Sequence, residues 1–217
     1  MINPSNIVKM HKLLLIILLA SSLQVMSQAM IEKPEIYVGP TFGVTGSMVM
    51  FSPSVGQTYL QGYNGGVVFR FIAEKNVGIQ AELNYSQRGW KESNGLYSRQ
   101  LNYIELPFMT HLYFGKKSRF FFNLGPKISY LISEKVLLNN TTNSTQVQET
   151  TKIQNQLDYG LCTGPGFLIN IKGNVIQLDA RANYSLSDIF SNDKRDYFSA
   201  SNNLNVSINL SWLFQIK

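Results

Sequence analysis

From Leu204 to Phe214 every second residue is large and apolar, and the residues between are Asn or Ser as far as Leu213. Side chains of a strand alternate between faces, so this segment has one apolar and one polar face. The same two-residue period recurs in seven earlier segments. Together they predict strands over 36–46, 63–73, 77–90, 101–114, 119–132, 157–169, 175–186 and 203–215. Each reaches the roughly 9–11 residues that a tilted strand needs to cross a bilayer, whereas soluble strands average about 5–6. The connections alternate too. Those at 74–76, 115–118 and 170–174 are short, and those at 47–62, 91–100, 133–156 and 187–202 are long and polar. The pattern predicts an all-β fold: an eight-stranded antiparallel up-and-down transmembrane β-barrel, with the short turns and both termini at the periplasmic side.

The apolar face runs through Val38, Phe42, Val67, Phe69, Ile79, Leu83, Leu106, Phe108, Leu124, Ile128, Leu161, Leu178 and Ile208. The opposite face carries charges, carboxamides and glycines, among them Gly39, Gly43, Gly66, Gly125, Gly160, Gly164 and Gly166. A soluble lipocalin-like barrel would turn the apolar face inward around a ligand; a membrane barrel turns it outward to lipid. Aromatics decide for lipid. Tyr63, Tyr85, Tyr130, Tyr159 and Tyr184 fall at the long-loop ends of their strands, and Phe71, Phe114, Phe120, Phe167, Trp212 and Phe214 at the short-turn ends. Two belts at opposite strand ends match the two membrane interfaces, where amphipathic rings settle. Glycine on the crowded polar side suits a tightly coiled sheet.

An open sheet edge cannot stand in hydrocarbon, because each unpaired backbone group costs several kcal/mol there. The last strand is therefore expected to pair with the first, around Tyr37 to Val44. Pro40, Pro107, Pro126 and Pro165 fall within the expected strands and remove a ladder donor each, which predicts bulges or local widening at those points.

Ahead of the barrel, Lys9 and Lys12 precede the apolar run Leu13–Ala20, with small residues at Ser27 and Ala29. This reads as a secretory signal over 1–29, leaving a mature barrel domain over 30–217. Export of the barrel leads to the outer membrane of a Gram-negative cell. The whole chain holds 19 basic and 13 acidic residues; losing the two signal lysines leaves a mild positive excess and no run that marks a nucleic-acid surface. The densest basic stretch, Lys116-Lys117-Ser118-Arg119, reads as a solvated turn. Cys162 is the single cysteine, so no internal disulfide staples the fold.

Several motifs add a resemblance. Tyr103-Ile104-Glu105-Leu106-Pro107 opens a strand ending at Tyr113-Phe114. Around it stand Glu82-Leu83-Asn84-Tyr85-Ser86-Gln87-Arg88-Gly89, Asn123-Leu124-Gly125-Pro126, Asp158-Tyr159-Gly160, Gly164-Pro165-Gly166 and Ala180-Arg181-Ala182-Asn183-Tyr184-Ser185-Leu186. In order and spacing the mature chain resembles the PorT-like outer-membrane β-barrel family. That resemblance implies an eight-stranded outer-membrane barrel, with one class of members tied to assembly of a protein-secretion system. The chain departs from the usual aromatic terminus, since Gln215-Ile216-Lys217 follows Phe214.

The nearest thing to a site is the set of lumen charges: Arg70, Arg88, Lys127 and Arg181 against Glu82, Glu105, Asp158 and Asp179. An eight-stranded barrel has room inside only for side chains, and charges confined there must be paired. One reading is a salt-bridged plug; the sharper alternative is a gated ion path or a proton relay through Glu105 and His111. Asp188, Asp193 and Asp196 form a loop cluster with no His beside it in sequence. Neither a nucleophile–His pairing, a metal-ligand spacing nor a phosphate loop is present, so no enzyme activity, metal or cofactor is expected. Tyr97, Tyr197 and Phe198 are candidate exposed anchors in the loops. The function that follows is structural or interactive: contact with lipid and with an envelope protein partner through the long loops or the periplasmic rim. The alternatives are a narrow passive pore for ions or small solutes, and an accessory role in secretion assembly.

Overall fold

The computed structural model describes residues 30–140, 146–193 and 196–216. The expected signal over 1–29 and most of the polar run at 139–145 lie outside the described residues. The strands are β1 (Met30–Ser52), β2 (Gln57–Thr58), β3 (Leu60–Glu74), β4 (Val77–Glu92), β5 (Tyr97–Gly115), β6 (Ser118–Asn139), β7 (Leu157–Ile171), β8 (Asn174–Asp188) and β9 (Ala200–Gln215). Eight are long; β2 is a two-residue strand on the upper end of β4, with Gln57 opposite Glu92. Each long strand pairs antiparallel with its chain neighbours, and β1 pairs with β9 from Tyr37↔Gln215 to Ser52↔Ala200. The ring is closed, as the cost of an open edge in lipid requires.

At the loop ends the strands run further than the lipid-facing alternation predicts. β1 continues to Ser52, β5 begins at Tyr97 and β6 continues to Asn139. The reason is a reversal of polarity. Beyond the tyrosine belt the outward positions become mixed, with Gln61, Gln87 and Lys91 beside Met50 and Ile132, while the inward ones become Val49, Phe51, Trp90, Tyr97, Leu101 and Leu131, all buried. Above the expected lipid slab, water lies outside, so the extension is organised like the core of a soluble barrel. Where β3 has turned away from β1, a side chain stands in for the missing strand. The Val49 N–H donates to Gln57 Oε1 at 3.0 Å, and Gln57 Nε2 donates to the Val49 carbonyl at 2.6 Å.

The prolines do not create bulges. The register is the same on both sides of each, and pairing lapses locally on one side: β1–β9 at Pro40, β4–β5 at Pro107, β5–β6 at Pro126 and β7–β8 at Pro165. On its other side each proline stays paired, with Val67, Lys127, Leu161 and Phe122 respectively. A proline lacks one donor, aimed at one neighbour, so one ladder opens and the other holds. The register shifts fall elsewhere, for example at Phe71/Glu74 and Asn102/Tyr103. Three of the prolines follow an inward glycine against which the neighbouring backbone folds. A Cβ on Gly164 would meet the Ala180 carbonyl oxygen at 1.9 Å. Gly164→Val is therefore expected to block closure: in a refolding assay read by heat-modifiable gel mobility, the folded band should be largely lost. A wild-type yield would mean that β7 and β8 do not approach this closely.

Candidate functional site: the charged lumen

All eight charges expected in the lumen point inward and are buried. Alternation places them there: one inward residue at every second position, on six of the eight long strands. They do not form one network. They divide into two quartets, each of two bases and two acids.

The quartet nearer the short turns is centred on Arg181 of β8. Its guanidinium clasps Glu82 of β4 with two bonds, Nη1 to Oε2 at 2.7 Å and Nη2 to Oε1 at 3.0 Å, and reaches Asp179 Oδ2 at 3.2 Å. Paired parallel bonds of this kind are the strong form of an Arg–carboxylate contact. Asn84 donates to Glu82 Oε2 at 2.7 Å, and Asn209 to Asp179 Oδ2 at 2.9 Å. Arg70 joins indirectly. It donates to Gln80 Oε1 from Nε at 2.9 Å and also contacts Gln177 Oε1. The amide nitrogens of those glutamines then donate to Glu82 at 2.6 Å and to Asp179 at 2.9 Å. Two carboxamides thus relay one cation to the two acids that Arg181 holds directly.

The second quartet is centred on Arg88 of β4. Its guanidinium meets Glu105 of β5, donates to Asp158 Oδ2 of β7 at 2.7 Å and to Ser129 Oγ at 3.1 Å, and lies 4.5 Å from the Tyr103 ring centre. Lys127 Nζ stands 3.8 Å from Asp158. Ser185 and Ser187 complete the shell of Asp158 at 3.0 and 2.8 Å.

An apolar cluster lies at each end, and the two-residue period did not reveal either. At the short-turn end Tyr37, Val68, Ile72, Tyr113, Phe121, Leu168, Val175 and Leu213 form one buried cluster. At the loop end Trp90 packs edge-on against Phe51 (5.6 Å) and Phe190 (6.4 Å), and Phe51 lies 4.8 Å from Phe198. Ile189, Phe190 and Phe198 come from the β8–β9 connection, which folds down into the mouth. The β6–β7 connection covers it further with one helical turn, Val147–Thr150. There Gln148 donates to Glu92 at 2.9 Å, and Arg99 donates to the Thr151 carbonyl at 2.7 Å and to Glu134 at 2.7 Å. The signal for these layers was present in Leu213 and Trp90, large apolar residues standing in the polar phase of their strands.

Two readings need correction. Tyr97 and Phe198 are not exposed anchors: they are 1 % and 2 % exposed and belong to the mouth cluster, while Tyr197 beside Phe198 is 58 % exposed. Glu105 and His111 do not meet directly. His111 bonds Asn123 Oδ1 through Nδ1 at 2.7 Å and packs on Phe121 at 4.9 Å, while Glu105 belongs to the Arg88 quartet six residues up the strand. In the aspartate loop, Asp188 receives Asn192 at 2.9 Å and contacts Ser201, and the Asp196 carboxylate accepts the Asp193 N–H at 3.0 Å. No group of three metal-ligating side chains occurs among the described residues. The belt residues project outward; of them only Phe71 is half-buried.

A family model described as an outer membrane protein beta-barrel domain matches residues 26–191. The chain belongs to that family. Its fold is similar to the crystal structure of the outer membrane protein OprG from Pseudomonas aeruginosa, at a TM-score of 0.50 and 10% identity, over 84% of this chain and 95% of that one. Outer membrane protein W of E. coli matches at 0.47 and 10%, over 85% and 99% of the two chains. Ail of Yersinia pestis, solved with the heparin analogue sucrose octasulfate, matches at 0.44 and 14%, over 83% and 99%. No curated protein matches the sequence. The protein is an outer-membrane β-barrel, so the outward apolar face is its lipid face.

Proposed function

We propose that this outer-membrane barrel is a closed, non-conducting protein with a structural or interaction role. In this reading it is exported behind a cleaved signal, has no enzyme activity, and meets its partners through its loops or its periplasmic rim. One observation carries the reading: both charge quartets are internally neutral and lie between two buried apolar clusters. An ion entering such a lumen would have to cross an apolar layer with no replacement for its water, which is costly. It would then have to compete with charges already paired with one another. Among loop residues, Tyr59 and Tyr197 remain exposed as contact candidates.

Conductance is the direct test. Purified barrel in a planar bilayer should give no stable unitary current; steady single-channel steps would overturn the closed reading in favour of a narrow pore. The PorT-like motifs keep a secretion-assembly role as the second reading, and they favour it only through their order along the chain. Cross-linked co-purification from native outer membrane should then return a secretion component.

A further inference from the structure

Every turn at the short-turn end carries lysine: Lys75 between β3 and β4, Lys116 and Lys117 between β5 and β6, and Lys172 between β7 and β8. All four are exposed. Among the residues whose side chains are described, the acids of this rim are Glu35, held by Arg119 at 3.3 Å, and Glu74. Two of the turns are joined, since the Asn170 N–H donates to the Lys117 carbonyl at 2.9 Å. The turns that carry Lys116, Lys117 and Lys172 are therefore neighbours at one corner of the rim. Lys172 holds φ 52 ahead of Gly173 at φ 88, a left-handed pair whose first position ordinarily goes to Asn, Asp or Gly. A lysine there is not what the turn itself asks for. Beside it lies a hollow lined by Lys172, Gly173, Asn174, Gln215 and Ile216.

The apolar wall starts at once above this corner. Ile171 is opposite Asn174, Asn174 opposite Phe214, and Ile176 opposite Trp212; the side chains of Ile171, Ile176, Trp212 and Phe214 all face outward and are exposed. Three exposed lysines on adjoining turns thus stand at the foot of a lipid-facing wall. That matches an amphiphile with a negative head and apolar tails. A zwitterionic head brings its own cation and leaves the lysines uncompensated, whereas a head of net negative charge neutralises them.

We propose that this corner is a binding site for an anionic glycerophospholipid of the periplasmic leaflet. The lipid phosphate sits among Lys116, Lys117 and Lys172, and the acyl chains lie against Ile171, Ile176, Trp212 and Phe214. The site rests on the short turns facing the periplasm, but not on whether the lumen conducts.

The test uses the purified barrel in detergent with phosphatidylglycerol and phosphatidylcholine of matched chains, read by native mass spectrometry. Wild type should retain phosphatidylglycerol about fivefold or more over phosphatidylcholine, and Lys116→Gln/Lys117→Gln/Lys172→Gln should bring the ratio close to one. Lys91→Gln/Lys135→Gln, at the opposite rim, should keep the wild-type ratio; heat-modifiable mobility establishes that both variants are folded. An unchanged ratio in the triple variant, or an equal loss in the opposite-rim variant, would overturn the site. Leaflet assignment is read separately, with an impermeant thiol reagent on Lys172→Cys. Labelling is expected only after the outer membrane is opened, and labelling of intact cells would overturn the periplasmic assignment whatever the lipid ratio.

Discussion

Replacing Arg181 with methionine should cost the barrel about 3–5 kcal/mol of stability, the range for breaking a buried ion pair by removing one partner. The loss comes less from the missing bonds than from what stays behind. Glu82 and Asp179 are both buried, and Arg181 is their only direct cationic partner among the described residues. Arg70→Met should cost less, because Arg70 reaches those acids only through Gln80 and Gln177. Neutralising the acids together with the base is the sharper comparison. Arg181→Met/Glu82→Gln/Asp179→Asn should recover a large part of the loss, a non-additivity expected only of side chains that share one network. Urea unfolding in phospholipid vesicles, followed by tryptophan fluorescence, reads all three variants. If the triple variant is no more stable than Arg181→Met alone, the quartet is not a coupled unit.

Trp90→Ala should cost a similar amount, about 3–5 kcal/mol for a fully buried tryptophan, and it should loosen the mouth. Trp90 is the largest side chain of the loop-end cluster, and it touches residues of the strands and of the β8–β9 connection alike. Its removal leaves Phe51, Phe190 and Tyr97 facing a cavity, and the connection loses one of its anchors. Two readouts should move together: the unfolding midpoint falls, and the 189–199 segment becomes open to limited proteolysis in the folded protein. A lower midpoint with unchanged cleavage would mean that this connection is held by something other than the aromatic cluster. Trp212, on the lipid face, remains as the fluorescence reporter.

Much of this protein was legible from one dimension. The alternation at Leu204–Phe214 states which side chains share a face, because a strand has a period of two whatever it pairs with. Long strands, alternating loop lengths and two aromatic belts then select lipid as the solvent of the apolar face. Closure between β1 and β9 follows from the cost of an unpaired edge. Even the eight inward charges can be named, since each stands in the polar phase of its strand.

Partner choice inside the lumen was not legible. Whether Arg181 meets Glu82 or Glu105 depends on the stagger of the strands around the ring, and Arg181 lies 99 residues from Glu82 along the chain. The same holds for the mouth. Phe198 sits in a loop whose composition says solvent, yet it is buried because Phe51 and Trp90 leave an apolar hollow that only a returning loop can fill. By itself the sequence determined the period, the solvent on each face and the need to close. Only the tertiary structure decided that the charges form two neutral quartets and that apolar clusters stand at both ends. Periodicity is a property of one strand, whereas charge pairing and packing depend on which height of the barrel each residue shares with residues of other strands.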